Sequence, residues 1–462
     1  MGTVVTLLYV VAFSLFVYGL MGLTGPRTAV RGNAIAAVGM AIAVVATLLL
    51  PGMGNWLLLA VGVVVGTVLG VPAARQVRMT AMPQMVALFN GVGGGAVALI
   101  AWAEHRATDG FTGEPGYVVV GTLFAAVVGS VSFWGSLVAF GKLQELLPGR
   151  PIGLGRAQQA VNAGLLVAAV ALAVVAGSGG ASELWTVGVL VVAALLGVLV
   201  VLPIGGADMP VVISLLNALT GLSAAATGLA LDNTAMIVAG MIVGASGTIL
   251  TNLMAVAMNR SIPAIVAGGF GGGAAAVGGG GAGVERTVRS TSAADVAIQM
   301  AYASQVVVVP GYGMAVAQAQ HAVKDLAAEL ESRGVRVDFA IHPVAGRMPG
   351  HMNVLLAEAE VPYEQQREMD DINGEFARTD LTLVIGANDV TNPAARTDPS
   401  SPIAGMPILN VDESRAVVVL KRSMGSGFAG VDNPLFYAER TSMLFGDAKK
   451  SVVEVTDELK AL

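Results

Sequence analysis

Residues 305–320 read Gln-Val-Val-Val-Val-Pro-Gly-Tyr-Gly-Met-Ala-Val-Ala-Gln-Ala-Gln. Four consecutive valines predict a strand buried on both faces. Gly311 and Gly313 predict a tight turn, and the alanine-rich run after them predicts a helix over 314–332. Strand, glycine turn and helix in that order make a cradle for the phosphates of a dinucleotide. The free N–H groups and positive dipole end of the helix would face the pyrophosphate. The G-x-G-x-x-G/A pattern is imperfect, because Val316 stands where Gly or Ala usually does, with Ala315 just before it. An ordinary tight strand–helix turn is the alternative reading.

Around this cradle the chain alternates strand and helix. Strands are predicted at 305–309, 335–341, 381–386, 407–411 and 416–420, and helices at 314–332, 350–360, 364–377 and 447–460. The alternation predicts a Rossmann-like, doubly wound parallel sheet over 293–462. A site for NAD usually has an acid at the end of the second strand, for the ribose 2′-hydroxyl. Here the end of that strand carries none, and Asp338 lies mid-strand. Lys421, Arg422 and Ser423 instead follow the apolar strand 416–420. Two cations and a hydroxyl at a strand end suit a phosphate monoester, which favours NADP over NAD. A solvated basic pair is the plain alternative. Three further loops have the composition of ligand loops: Val344-Ala-Gly-Arg-Met-Pro349, Gly386-Ala-Asn-Asp-Val390 and Gly425-Ser-Gly-Phe-Ala-Gly430. The second would place Asn388 and Asp389 at the carboxyl edge of the sheet.

Everything before residue 263 has a different composition. Of the 462 residues, 55% are hydrophobic and 12% charged, with a mean hydropathy of +0.74. A soluble globular chain carries about 25% charged residues, so much of this one must face lipid. Nine spans of adequate length are predicted, near 3–23, 33–51, 54–73, 83–103, 117–140, 159–177, 184–204, 209–231 and 234–257. Basic residues follow the odd-numbered spans and acidic ones follow the even-numbered spans. The expected topology therefore has the N-terminus outside and the sheet domain in the cytoplasm. The first span has no basic flank and no obvious cleavage site, so it is expected to be a retained helix. Residues 263–292 are a glycine-rich linker, tether or passive spacer. The net charge of −6 gives no reason to expect nucleic acid, and with no cysteine there is no disulfide, thiolate chemistry or iron–sulfur cluster.

Within the predicted spans there is no Asp, Glu, Lys, Arg or His, but Asn90, Ser136, Asn162, Asn217 and Asn252 are polar. Such residues either glue helices together or line a wet path for an ion. Asp208, at the cytoplasmic entrance of the eighth span, is either part of such a path or an N-cap. Asn90, Ser136, Asp208 and Asn217 are the candidate proton-path residues.

Several of these segments carry a resemblance. Val309-Pro-Gly-Tyr-Gly-Met-Ala-Val-Ala-Gln-Ala-Gln320, His342-Pro-Val-Ala-Gly-Arg-Met-Pro-Gly350, Val384-Ile-Gly-Ala-Asn-Asp389, Lys421-Arg-Ser-Met424, Asp432-Asn-Pro-Leu-Phe436 and Gly446-Asp-Ala-Lys-Lys450 resemble the beta subunit of the proton-translocating NAD(P) transhydrogenases. So do Phe140-Gly-Lys-Leu-Gln144 and Gly244-Ala-Ser-Gly-Thr-Ile-Leu-Thr251 in the membrane half. The resemblance covers essentially the whole chain. It implies that this subunit holds NADP(H) and that an alpha subunit holds NAD(H) and adds membrane helices. Hydride transfer between the two nucleotides would be coupled to proton translocation across a bacterial inner membrane, in a complex that dimerises. The nucleotide-binding residues it implies are Gly311, Tyr312, Gly313, Met314, Ala315 and Val316. Val344, Ala345, Gly346, Arg347, Met348 and Pro349 follow, with Gly386, Ala387, Asn388, Asp389 and Val390. Gly405, Met406, Lys421, Arg422, Ser423, Met424, Gly425, Ser426, Gly427 and Phe428 belong to the same set, as do Asp432, Asn433, Asp447 and Ala448. Asp389 is the candidate for sensing protonation. Members of the family often carry a histidine in the fourth span, where this chain has the non-titrating Asn90. The titratable membrane group is therefore expected from the partner subunit. A nucleotide-gated ion transporter is the alternative reading of spans plus a nucleotide domain.

Overall fold

The computed structural model describes residues 2–23, 26–50, 53–148, 151–179, 182–205, 208–266, 288–348, 350–401, 403–425 and 430–462. Most of the predicted glycine-rich linker, and the candidates Pro349, Ser426, Gly427 and Phe428, lie outside the described residues. The chain divides into two compact units, the first made of residues 1–204 and 212–251, the second of 205–211 and 252–462.

Among the described residues, nine helices are long and apolar enough to cross a membrane. They are α1 (Gly2–Gly22), α2 (Pro26–Leu48), α3 (Trp56–Gln76), α4 (Met82–Ala107), α5 (Gly116–Leu143), α6 (Gln158–Gly177), α7 (Glu183–Val201), α8 (Met209–Ala230) and α9 (Thr234–Ala257). Small residues set how closely they pack. A Cβ on Gly221 of α8 would lie 2.5 Å from the Gly244 nitrogen of α9, and one on Gly197 of α7 would lie 2.5 Å from the Val131 oxygen of α5. On α3, by contrast, Gly62, Gly66 and Gly70 have nothing within 4 Å.

The helices outrun the predicted spans in a way that matters. α4 continues through Glu104, His105 and Arg106, and α5 continues through Lys142. The expectation that the spans hold no ionisable group is thus corrected: it is true of the apolar windows and false of the helices. His105 and Lys142 are also buried. The Lys142 ammonium donates to the Ile204 carbonyl at 2.7 Å and to that of Leu202, carbonyls that the end of α7 leaves without helical partners.

The second unit carries α10 (Ala293–Ala301), β1 (Gln305–Pro310), α11 (Tyr312–Val316), α12 (Gln320–Ser332), β2 (Arg336–Ile341), α13 (His351–Glu358), β3 (Gln366–Glu368), β4 (Leu381–Ile385), β5 (Ala416–Lys421), β6 (Thr441–Phe445) and α14 (Ala448–Ala461). The strands form one sheet in the order β3-β2-β1-β4-β5-β6, and every pairing is parallel. The order reverses direction between β1 and β4, so the carboxyl ends of those strands flank the switch-point crevice of a Rossmann-like sheet. Val306 to Val309 are fully buried, as a strand covered on both faces requires.

Three expectations fail in detail. The helix expected over 314–332 is two helices, because Gln318 takes a left-handed φ of +50° and closes α11 after five residues. The strand expected at 407–411 does not form. Ile408 and Leu409 are buried as core filler, and β5 already occupies the place beside β4. The helix expected over 364–377 is short turns around β3, while β6 was not expected at all.

Candidate functional site

The first glycine turn leaves β1 at the switch point. The Gly311 nitrogen donates to the Ile385 carbonyl at 2.9 Å, and the Gly313 nitrogen donates to the Gly386 carbonyl at 3.0 Å. A Cβ on Gly311 would lie 2.4 Å from the Ala387 nitrogen, and one on Gly386, whose φ is +64°, would lie 2.4 Å from the Gly313 Cα. Only glycines let the turns after β1 and β4 touch backbone to backbone. Met314 and Ala315 are buried beneath the turn, and Val316 is exposed.

The loop after β2 stands beside it. The Arg347 guanidinium lies over the Tyr312 ring, 4.4 Å from its centre. His351 accepts on Nδ1 from the Arg347 nitrogen at 3.0 Å. A Cβ on Gly346 would strike that imidazole, so Gly346, at φ +102°, lets the loop fold down on His351. His342 accepts on Nδ1 from the Val344 nitrogen at 3.2 Å, which leaves Nε2–H to donate to the Pro407 carbonyl at 2.8 Å. Burial lowers the pKa of both histidines to about 4, assisted at His351 by Arg347. Both are therefore neutral struts at physiological pH.

After β4, Asn388 and Asp389 are half-buried. Asn433, buried on the neighbouring loop, donates through Nδ2 to the Asn388 carbonyl at 3.1 Å and to its Oδ1 at 3.0 Å. Its own Oδ1 accepts from the Leu435 nitrogen at 3.0 Å. Asp432 accepts from the Tyr437 hydroxyl at 3.1 Å. At the end of β5, the Lys421 ammonium sits over the Phe436 ring, 4.5 Å from its centre, and donates to the Gly425 carbonyl. Burial lowers the Lys421 pKa, while the Asp389 and Asp432 charges oppose the shift. Arg422, Ser423, Met424 and Gly425 are exposed. Asp447 caps α14, its Oδ1 accepting from the Lys450 nitrogen at 3.2 Å, with Ala448 as the first helical residue.

The fold thus brings the groups 311–316, 344–348, 386–390, 421–425, 432–433 and 447–448 to one carboxyl edge of the sheet. Gly405 and Met406 are not in that row. They line an open cleft of about 760 Å³ with Met369, Asp370, Asn373 and Arg396, and their loop is tied to the row through the His342–Pro407 bond. Asp338 accepts from Arg336 at 2.8 Å and from Gln305 at 3.2 Å inside the sheet. It is a structural acid and is not placed to hold a ribose. His342 and His351 were missed as site supports. Their only sequence signal is that they bracket the Val344–Pro349 loop.

In the membrane unit, Asn90 and Ser136 meet: Asn90 Nδ2 donates to the Ser136 Oγ at 2.9 Å and to the Ser132 Oγ at 3.4 Å. Asn217 is half-buried on α8, and its side chain makes no hydrogen bond among the described residues. In the second unit, Asp208 accepts from Arg260 at 2.6 Å. Burial raises the Asp208 pKa, against the pull of Arg260.

Nine lipid-length helices, followed by a Rossmann-like sheet with glycine turns and cations along one carboxyl edge, define a membrane protein with a dinucleotide-binding domain. Residues 5–458 match the family described as NAD(P) transhydrogenase beta subunit. The chain is also 47% identical over 456 residues, 98% of each chain, to the NAD(P) transhydrogenase subunit beta of Rhodospirillum rubrum. The same figures hold for the protein of that name from strain ATCC 11170. The chain belongs to the NAD(P) transhydrogenase beta subunit family. It is a transhydrogenase subunit that binds a nicotinamide nucleotide and works with a partner subunit.

Proposed function

We propose that this chain binds NADP(H) along the carboxyl edge of its sheet and exchanges hydride with NAD(H) held by an alpha subunit. The exchange is coupled to proton translocation through the membrane helices. The observation that carries the NADP assignment is the end of β5. Lys421 is held over Phe436 and points back at Gly425, while Arg422 and Ser423 are exposed beside it. Two cations and a hydroxyl match a phosphate monoester, and no acid stands at the end of β2 to hold an unphosphorylated ribose, its one acid, Asp338, lying mid-strand and paired with Arg336. The glycine contacts at 311, 313 and 386 keep side chains out of the switch-point crevice, which fits a nucleotide backbone lying there.

The bound nicotinamide supplies the hydride-transferring carbon. What the protein contributes is position and the exclusion of water. The Tyr312–Arg347–His351 stack and the Asn433–Asn388 bonds fix the loops after β2 and β4. Transfer between two nicotinamides exchanges no proton with solvent. The proton therefore acts through nucleotide affinity, with Asp389, whose charge bears on Lys421, as the group through which protonation is sensed. The family setting favours an inner membrane, an outside N-terminus, a cytoplasmic sheet domain and a dimeric complex.

The test is nucleotide binding by the purified alpha–beta complex. Lys421→Ala and Arg422→Ala should each weaken NADPH binding by roughly ten- to a hundredfold, the worth of a charge-assisted phosphate contact. NADH binding by the alpha subunit should not change. Equal NADPH affinity in wild type and both variants refutes the assignment.

A further inference from the structure

We propose that Gly405 is a positioning residue: it is the seat of Asn259 at the end of α9, and the loop 404–409 built on that seat braces the two loops that flank the nucleotide crevice. The inference rests on the NADP reading above. It gives a role to an expected nucleotide ligand that lies outside the carboxyl-edge row.

Two backbone bonds close α9. The Asn259 nitrogen donates to the Val256 carbonyl and the Arg260 nitrogen to the Ala255 carbonyl, both at 2.9 Å. With Asn259 at a φ of +51°, this is a Schellman end, where a left-handed residue stops the helix, usually glycine and sometimes asparagine. Here it is asparagine, and its side chain is used. Nδ2 donates to the Ala404 carbonyl at 3.1 Å. Both partners belong to the second compact unit. Gly405 meets the same amide. Its φ is +74°, and a Cβ on it would strike the Asn259 Nδ2. Glycine is therefore required twice at 405, once for the backbone angle and once for the neighbour.

The loop beyond the seat is anchored along its length. The Gly405 nitrogen donates to the Ala395 carbonyl at 2.8 Å. Pro407 fixes its own φ, and Ile408 and Leu409 are buried. Asn373 donates through Nδ2 to the Ile408 carbonyl at 3.0 Å and accepts on Oδ1 from the Asn410 nitrogen at 3.0 Å. Two further bonds reach the nucleotide loops. His342 donates to the Pro407 carbonyl and holds the Val344 nitrogen on its other ring atom. The Leu409 nitrogen donates to the Val390 carbonyl at 2.9 Å. One loop thus touches the segments after β2 and after β4, and a displacement at Gly405 reaches both through a short hydrogen-bonded path.

The open cleft that Gly405 and Met406 line is not a rival explanation. Its Arg396, Asn373 and Asn410 side chains are bound to Asp412, Ile408 and Glu413. These polar groups are engaged within the protein, not held ready for a ligand.

The test is a double-mutant cycle in the purified alpha–beta complex, read as the NADPH dissociation constant. Asn259→Gly suits the left-handed helix end and removes only the amide. It should weaken NADPH binding by about three- to tenfold, the worth of one hydrogen bond. Gly405→Ala should weaken it by about tenfold or more, because the Cβ displaces the amide and alanine resists a positive φ. In the Asn259→Gly background the cost of Gly405→Ala should fall, since the clash has gone with the amide. NADH binding by the alpha subunit should not change, and hydride transfer at saturating NADPH should not drop, because the brace positions loops and touches no reacting atom. An equal cost of Gly405→Ala in both backgrounds overturns the proposal. If Gly405→Ala does not assemble, Asn259→Gly decides, and wild-type NADPH affinity in it overturns the proposal. Unchanged affinity in Lys421→Ala and Arg422→Ala refutes the NADP reading itself. Where those two bind weakly as expected, wild-type affinity in Asn259→Gly removes the brace alone.

Discussion

His342 and His351 show how the site is made rigid by groups that never charge. Each is buried and donates or accepts within a loop of the cradle, and its pKa falls from 6.5 to about 4. A histidine whose folded pKa is depressed contributes its full stability above the unfolded pKa. That stability is lost as pH falls from about 6.5 towards 4, because the unfolded chain takes up the proton first. At pH 5 the loss is roughly 2 kcal/mol for each histidine. Hydrogen exchange of the β1 and β2 amides, corrected for the intrinsic rate, should show protection falling by the sum for the two histidines, roughly 4 kcal/mol, between pH 7 and pH 5. Unchanged protection contradicts the burial account. The four tryptophans lie at 56, 102, 134 and 185, all outside the sheet domain, so tryptophan fluorescence does not monitor that transition.

Among elements, glycine content means opposite things in different helices. Where α8 crosses α9, Gly221 makes backbone contact possible. Gly221→Val should cost about 2–3 kcal/mol, the range for overpacking a filled interface, read as a lowered melting temperature of the purified subunit. On α3 the positions Gly62, Gly66 and Gly70 have nothing within 4 Å, and Gly66→Ala should leave stability unchanged or raise it by up to about 1 kcal/mol, read as a melting temperature that does not fall. Hydropathy made the two helices look alike. What separates them is whether a neighbour occupies the groove, and a one-dimensional pattern does not record that. The helix expected over 314–332 failed for a related reason. Most of its residues favour helix, and the left-handed Gln318 breaks it in two.

At the scale of the whole molecule, the proposed membrane topology rests on the basic residues after alternate spans. The chain has no cysteine, so single introduced thiols report sidedness without background. Asp109→Cys should be labelled by an impermeant maleimide from the outer face of intact cells, and Lys449→Cys only after permeabilisation. Labelling in the reverse order overturns the orientation.

The sequence by itself determined the large divisions: nine spans, the point where composition changes, a parallel sheet and most of its carboxyl-edge loops. Hydrophobic runs, glycine turns and cations after strands are local, and local chemistry is written residue by residue. It also marked Asp338 as a poor ribose ligand from its mid-strand position. Only the tertiary structure decided the rest. It extended α4 and α5 past their apolar windows to include Glu104, His105 and Lys142, because a helix ends where its backbone runs out of partners and not where hydropathy falls. It paired Asn433 with Asn388 across 45 residues. Burial and partnership are properties of neighbours distant in the chain, and they are settled only when the helices pack.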